Sequence, residues 1–471
     1  MSRRSHHSFR PQRLNTLAAC LLAALGFADA SATPRHPHGA IVVTNCLDSG
    51  NGSLRQAVQT GAPGDPIDLT QLTCGQISLT TGRIDVNRDL LIQGPGPDVL
   101  AIDGTHTDRI FNQNGPYQLA LYGLKLQHGY SNTFGGGCVY SKGPLLLNNT
   151  VITSCQVLDF GGSGNYLGGA VLANSTLSMI NSTLTNNQIY SALGNGFGGG
   201  ASADGDVVLD HSTITHNSIS NASGGITVSG GIDVGGKLFM MYSTISDNAV
   251  SGLANSPGSV GGARVFGGAA ISNSTISGNT ADGGIGGLMA YGSAASPTVI
   301  TNSTISGNTA HAIGGAYARG PTTIQNSTIA FNTETAFANG GGLRLAYTVA
   351  DIESSIIASN TSTGATQNIG LGISGAVTGA DDLIGASPLV TLPPGTITSD
   401  PLLLPLAGNG GPTQTHALGV GSPAIDNGNN NAGLSTDQRG TGFPRAVGGG
   451  PDIGAFEGVD TTDTIFANGF D

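Results

Sequence analysis

Eight times between Cys138 and Asn360 the chain repeats one phrase: a glycine pair, four alternating residues, a short spacer, then a variant of Asn-Ser-Thr-Ile-Ser-Gly-Asn. Its apolar residue is Ile152, Leu184, Ile214, Ile245, Ile276, Ile305, Ile329 and Ile357. Three residues after each stands Cys155, Asn187, Asn217, Asn248, Asn279, Asn308, Asn332 and Asn360, so successive units are 32, 30, 31, 31, 29, 24 and 28 residues apart. A period of this length means stacked copies of one small unit. Helices are excluded as that unit, because only short β-branched runs broken by Gly, Asn and Ser lie between the glycines and the asparagines.

The four residues after each glycine pair set the local period. The first and third are mostly small and apolar: Cys138/Tyr140, Ala170/Leu172, Ala201/Ala203, Ile232/Val234, Ala263/Val265, Leu288/Ala290, Ala316/Ala318 and Leu343/Leu345. Every charge falls on the second or fourth, the signature of a strand buried on one face. One such strand, and at least one more around Thr-Ile, makes a coil of two or three short strands. Stacked coils then form an all-β, right-handed parallel β-helix, the hand following from the chirality of parallel connections. The 76 glycines, the absence of Trp and the 10% charged residues suit a narrow solenoid with small interior side chains. The isoleucines are expected to form an interior ladder. The asparagines are expected to form a second one at a corner, in left-handed dihedrals, with each amide bonding to the next coil. The Asn-Ser-Thr triplets at Asn181, Asn273, Asn302 and Asn326 match a glycosylation sequon, but recur in phase with the coil and are read as scaffold.

Residues 1–32 read as a secretory signal: arginines up to Arg13, an apolar run from Leu14 to Phe27, and small residues at Ala28-Asp29-Ala30. No later stretch is long enough to span a membrane as a helix. Four cysteines follow the signal. An even count in an exported chain points to two disulfides, and proximity favours Cys46–Cys74 and Cys138–Cys155 among three connectivities. Ser53-Leu54-Arg55-Gln56 reads as a capping box. It would open a short N-terminal capping helix with Leu54, Ala57 and Val58 on one face and Gly61 at its end, covering the open core. Strands are expected near 76–79, 83–86, 90–93, 99–102 and 119–126. The organisation is therefore a signal (1–32), a cap with irregular first coils (40–110), β-helix repeats (111–375), C-terminal coils and cap (376–457) and a tail (458–471).

The run Asn45-Cys46-Leu47-Asp48-Ser49-Gly50-Asn51-Gly52-Ser53-Leu54-Arg55-Gln56-Ala57-Val58, with Leu91-Ile92-Gln93-Gly94-Pro95-Gly96, resembles the N-terminal segment of bacterial CSLREA-type β-helix surface proteins. Ser422-Pro423-Ala424-Ile425-Asp426, Thr436-Asp437-Gln438-Arg439-Gly440 and Pro451-Asp452-Ile453-Gly454-Ala455-Phe456-Glu457 resemble the end of choice-of-anchor Q proteins. The glycine-pair repeats are similar to those of polymorphic outer-membrane proteins. The resemblance implies an exported protein of the cell surface or outer membrane with a C-terminal anchoring signal. The tail Asp463–Asp471 reads either as such a sorting address or as a last edge strand.

Candidate chemistry lies at the outward slots after the glycines: Asp204, Asp233, Arg264, Phe266, Tyr291, Tyr317, Arg319 and Arg344. Aromatic faces stack on apolar sugar faces and arginines pair with acidic sugars, so this patch points to an adhesin or carbohydrate-binding protein whose partner is an extracellular polysaccharide or host or cell-surface glycan. The alternative is a polysaccharide lyase or glycoside hydrolase using the same face, for which Asp204 and Asp233 on adjacent coils supply two carboxylates but no evident third partner. No catalytic residue is assigned. In the C-terminal region Asp426, Asn427, Asn429, Asp437, Asp452 and Glu457 offer oxygen ligands to calcium. Asx turns and a salt bridge with Arg439 or Arg445 are the preferred account, and no cofactor is expected. A net charge of −12 argues against nucleic acid as a partner.

Overall fold

A computed structural model describes residues 39–458, apart from 160, 162–163, 222–226, 253–257 and 365–366. The signal and nearly all of the tail lie outside these residues. The chain is a parallel β-solenoid of about eleven turns. Within a coil, four strand positions follow one another, exemplified by Val171–Ala173, Leu177–Ile180, Thr183–Thr185 and Gln188–Ser191. Stacked in parallel register, they build sheet 1 (11 strands), sheet 2 (13), sheet 3 (12) and sheet 4 (8). Three of the longer coils add a small extra sheet, Asn165–Leu167, Asn195–Phe197 and Thr227–Val228.

The interior ladder is as expected: the residues from Ile152 to Ile357 pair in register down sheet 3 and are essentially sealed from solvent. The asparagine ladder stands at a corner as expected but differs in conformation. Asn187 to Asn360 are buried inside the turn between sheets 3 and 4, each Nδ2 donating to the Oδ1 of the next rung at 2.9–3.1 Å. The left-handed dihedral is taken by the preceding residue, as at Asn186, His216 and Asp247, which frees the ladder residue to turn its amide inward.

The glycines exist because of that ladder. A Cβ on Gly231 would sit 2.6 Å from the Gly262 carbonyl oxygen and 3.0 Å from Nδ2 of Asn248. Glycine and asparagine therefore meet across the coil, which is why they recur together in the phrase. In the first coil Cys138 stands in this glycine column and Cys155 in the asparagine column, and the two form a disulfide. Covalent sulfur replaces the Gly–Asn contact.

The same register corrects the facing in two coils. Val139 and Val171 pair with Ala201, so Val139/Ser141 and Val171/Ala173 point inward, and Tyr140 and Leu172 outward. The glycine run at 198–200 is three residues long, and the pair that matches Gly168-Gly169 is Gly198-Gly199. Taking the last two glycines shifts the earlier coils by one residue, which in a strand reverses the face.

At the N-terminus the helix Leu54–Thr60 is capped by Ser53, whose Oγ accepts from the Gln56 N–H (3.2 Å), and its Leu54, Ala57 and Val58 join the core. Gly61 ends it in extended conformation (φ −65°). A Cβ there would meet the movable ends of the Arg88 and Ile41 side chains. Cys46–Cys74 closes the second disulfide. At the far end Val390 and Leu392 pack on the core. The segment beyond them runs back along the outside of sheet 3: Thr275 donates to the Gln414 carbonyl (2.7 Å), Ser306 meets His416 (2.7 Å), and the Ala455 N–H donates to Thr328 (3.1 Å). Asn273, Asn302 and Asn326 donate their amides to main-chain carbonyls of this arm, at Asp437, Thr436 and Asn429.

Candidate functional site

Sheet 1 turns its alternate residues away from the core in two columns, of which Ser202, Asp233 and Met289 are covered by their neighbours. One runs Ser202, Asp233, Arg264, Met289, Tyr317, Arg344. Its neighbour carries Asp204, Phe266, Tyr291 and Arg319. All eight sequence-predicted residues thus share one face, and Asp233, Arg264, Phe266, Tyr291, Tyr317 and Arg319 contact one another in a chain.

Arg264 grips Asp233 with both prongs of its guanidinium, Nε to Oδ1 at 2.6 Å and Nη2 to Oδ2 at 2.9 Å, and both side chains are mostly covered. That fork fixes the planar guanidinium. Its face then lies 4.6 Å from the Phe266 ring and 5.3 Å from Phe197. Phe266 stacks on Tyr291 with ring centroids 5.6 Å apart and planes within 8°, and Tyr317 meets Tyr291 edge-on at 6.1 Å. Arg319 continues the pile between Tyr291 (5.8 Å) and Tyr347 (4.6 Å). The Phe266 and Tyr291 faces are therefore turned along the rod, towards each other and towards guanidinium groups. What faces outward is ring edges, Phe266 being 48% exposed, rather than the open platforms the sequence suggested.

The charges sort in the same way. Asp233 is spent on Arg264. Arg344 donates to the Asn339 carbonyl (2.7 Å) and Arg319 has no ion pair among the described residues, so both keep an uncompensated positive charge beside tyrosines. Asp204 is exposed. Partial desolvation, and then the like charge of Asp233, hold its carboxyl above the usual range. Burial over Met289, Ile285 and Ile313 raises the Tyr317 phenol, with Tyr291 adding to the shift.

Sequence reasoning missed Phe197 and Tyr347. Phe197 precedes the glycine run and Tyr347 follows the strand in a left-handed turn, so neither sits in a slot that period-2 counting marks.

The C-terminal carboxylates are filled by protein donors. Asp437 receives Nε and Nη2 of Arg439 (2.9 and 2.6 Å) and the Glu457 N–H (2.8 Å). Glu457 receives Arg445 (2.8 Å) and the N–H groups of Val447 and Asp452. Arg439 lies between the rings of Phe443 and Phe456 at 4.0 and 3.9 Å. Among the described residues no group of three or more His, Cys, Asp or Glu is disposed to hold a metal ion.

The fold and these clusters define the protein as a parallel β-solenoid with a cation–aromatic strip on one sheet. No family model matches the chain, and no curated protein matches it. Among solved structures, a pectate lyase (Pel9A) is similar over 88% of this chain and 96% of that chain, at 14% sequence identity and a TM-score of 0.40.

Proposed function

We propose that this chain is an exported bacterial surface or secreted protein, an adhesin or carbohydrate-binding protein that engages an extracellular polysaccharide or cell-surface glycan along sheet 1. The observation that carries this reading is the pairing of two uncompensated guanidinium groups, Arg319 and Arg344, with tyrosines over successive coils. Fixed cations among phenols suit hydroxyl-rich, acidic chains laid along the rod. Two disulfides support an oxidising, extracellular setting. Among the described residues no helix is long and apolar enough to cross a membrane. The resemblance of the terminal segments to CSLREA and choice-of-anchor Q proteins supports attachment to the cell surface. Glycan-array binding of the mature chain and of a Tyr291→Ala/Tyr317→Ala variant tests the strip. Loss of an acidic-glycan signal is expected, and unchanged binding would remove the strip from the account.

One observation favours a polysaccharide lyase or hydrolase instead: a carboxyl held above its usual range, Asp204, beside a second carboxylate. Product release from a uronate polymer that vanishes with Asp204→Asn would establish that reading.

A further inference from the structure

Four coils from Asp233 towards the N-terminus, about 19 Å at the usual strand spacing, the same outward column reaches Asn112. Beside it opens a cleft of about 450 Å³, and its wall contains Arg109. This arginine is 5% exposed and forms no ion pair among the described residues. It is held entirely by neutral oxygens. Nε donates to the carbonyls of Gly135 (2.9 Å) and Gly136 (3.1 Å), and Nη2 to Ser131 (2.8 Å), Thr133 (2.8 Å) and Gly135 (2.8 Å). The nearest carboxylate, Asp108, is turned elsewhere, with Oδ1 on the Arg109 backbone N–H (2.8 Å) and Oδ2 towards Arg83 (3.5 Å). Nη1 of Arg109 makes no hydrogen bond among the described residues. Phe134 and Tyr140 lie 4.9 and 5.9 Å from the guanidinium and set its plane.

A buried charge is normally paired, because desolvation is costly unless an opposite charge or several hydrogen bonds repay it. Here five hydrogen bonds hold Nε and Nη2 of a side chain that lines the cleft, and Nη1 is left for a ligand to reach. The rest of the wall is not a general anion trap. It holds the exposed amide of Asn114, Asn112 with its Nδ2 already given to Asp85 (2.6 Å), the Tyr130 and Phe134 rings, and Arg83 and Asp108. Amides suit hydroxyl groups, and aromatic side chains give apolar contact to a sugar.

We propose that this cleft binds one carboxylate-bearing sugar residue, its carboxylate on Arg109 and its hydroxyls on Asn114. The site is separate from the strip and stands on different residues.

The test is a titration of the mature chain, followed by NMR shifts or heat, with D-galacturonate, D-glucuronate, their neutral counterparts galactose and glucose, and sulfate. Saturable binding of a uronate is expected, with its neutral counterpart and sulfate each at least about tenfold weaker. Arg109→Gln should abolish it. Because Arg109 also anchors the Gly135–Gly136 turn, Asn114→Trp provides a second variant that blocks the cleft from an exposed position, and it too should abolish binding. Val349→Ala, at an exposed position on sheet 2, should leave it unchanged. The proposal is overturned if no uronate saturates, if the neutral sugar or sulfate binds equally well, or if Asn114→Trp binds as the parent does.

Discussion

The asparagine ladder gives the most quantitative test of how this solenoid is held together. Asn248 is fully buried near the middle of the run. Its Nδ2 donates to the Ile214 carbonyl (2.9 Å) and to Oδ1 of Asn279 (2.9 Å), and its Oδ1 accepts from both the backbone N–H and Nδ2 of Asn217 at 3.0 Å. Asn248→Ala deletes four hydrogen bonds at about 1 kcal/mol each and strands the Asn217 N–H in a dry site, where an unpaired group costs about 1–3 kcal/mol. A small cavity opens against Gly231 as well. The Asn217 side-chain nitrogen keeps the Leu184 and Thr215 carbonyls, which limits the damage. The expected loss is about 4 kcal/mol. Urea unfolding of the chain, followed by circular dichroism, should show a lower midpoint with the slope retained. Asn248→Asp should also destabilise, since it sets a carboxylate against two acceptors, the Ile214 carbonyl and Asn279 Oδ1, and more so at pH 7 than at pH 4. A loss below about 1 kcal/mol for Asn248→Ala would refute the reasoning, because the ladder would then be ornament on a rod held by isoleucine packing alone.

Three further outcomes are expected. At the entry to sheet 3 each of a row of serines accepts the backbone N–H of the rung before, as Ser355 does from Ser327 (3.2 Å); Asp382 takes the last place in that row, accepting from the Ser355 N–H (2.9 Å), and burial raises its carboxyl from 3.8 to about 8. Between those values the folded chain binds a proton that the unfolded chain does not, so stability falls as pH rises from about 4 to about 8; Asp382→Asn should be neutral near pH 4 and stabilise at pH 7 by an upper bound on the order of 4 kcal/mol, read as a pH-dependent shift in Tm. Cys155→Ser should cost about 3 kcal/mol, whereas the double change Cys138→Gly/Cys155→Asn should recover much of that loss by installing the contact the other coils use, as judged by urea midpoints. Gln438, whose side chain reaches Thr304 (2.6 Å), Thr275 (3.0 Å) and Thr413 (3.0 Å), clamps the returning arm, so Gln438→Ala should speed proteolytic cleavage within 400–457 and leave the coils intact.

Repetition made most of the rod legible before any coordinates. Each coil must sit on the next, so a residue's neighbours are its own equivalents one period away, and counting from Ile214 to Ile245 already says what touches what. The same logic placed Asp233 beside Arg264 and Phe266 beside Tyr291. It failed where the period carries no mark. A third glycine at 198–200 left the register of the first two coils ambiguous by one residue, and one residue reverses a strand's face. The asparagine's side of the wall and its backbone conformation were equally hidden, because a left-handed residue and its neighbour share one turn in the sequence.

What only the tertiary structure decided lies outside the repeat. The arm's return onto sheet 3 joins Gln438 to Thr275, 163 residues earlier, and the Arg109 cleft joins residues whose spacing has no rhythm. Local chemistry and periodicity fix contacts between equivalent positions, since stacking converts sequence distance into a constant rise. Contacts between unlike segments depend on where a non-repeating chain finds complementary surface, and that is settled only when the rod exists to be docked upon.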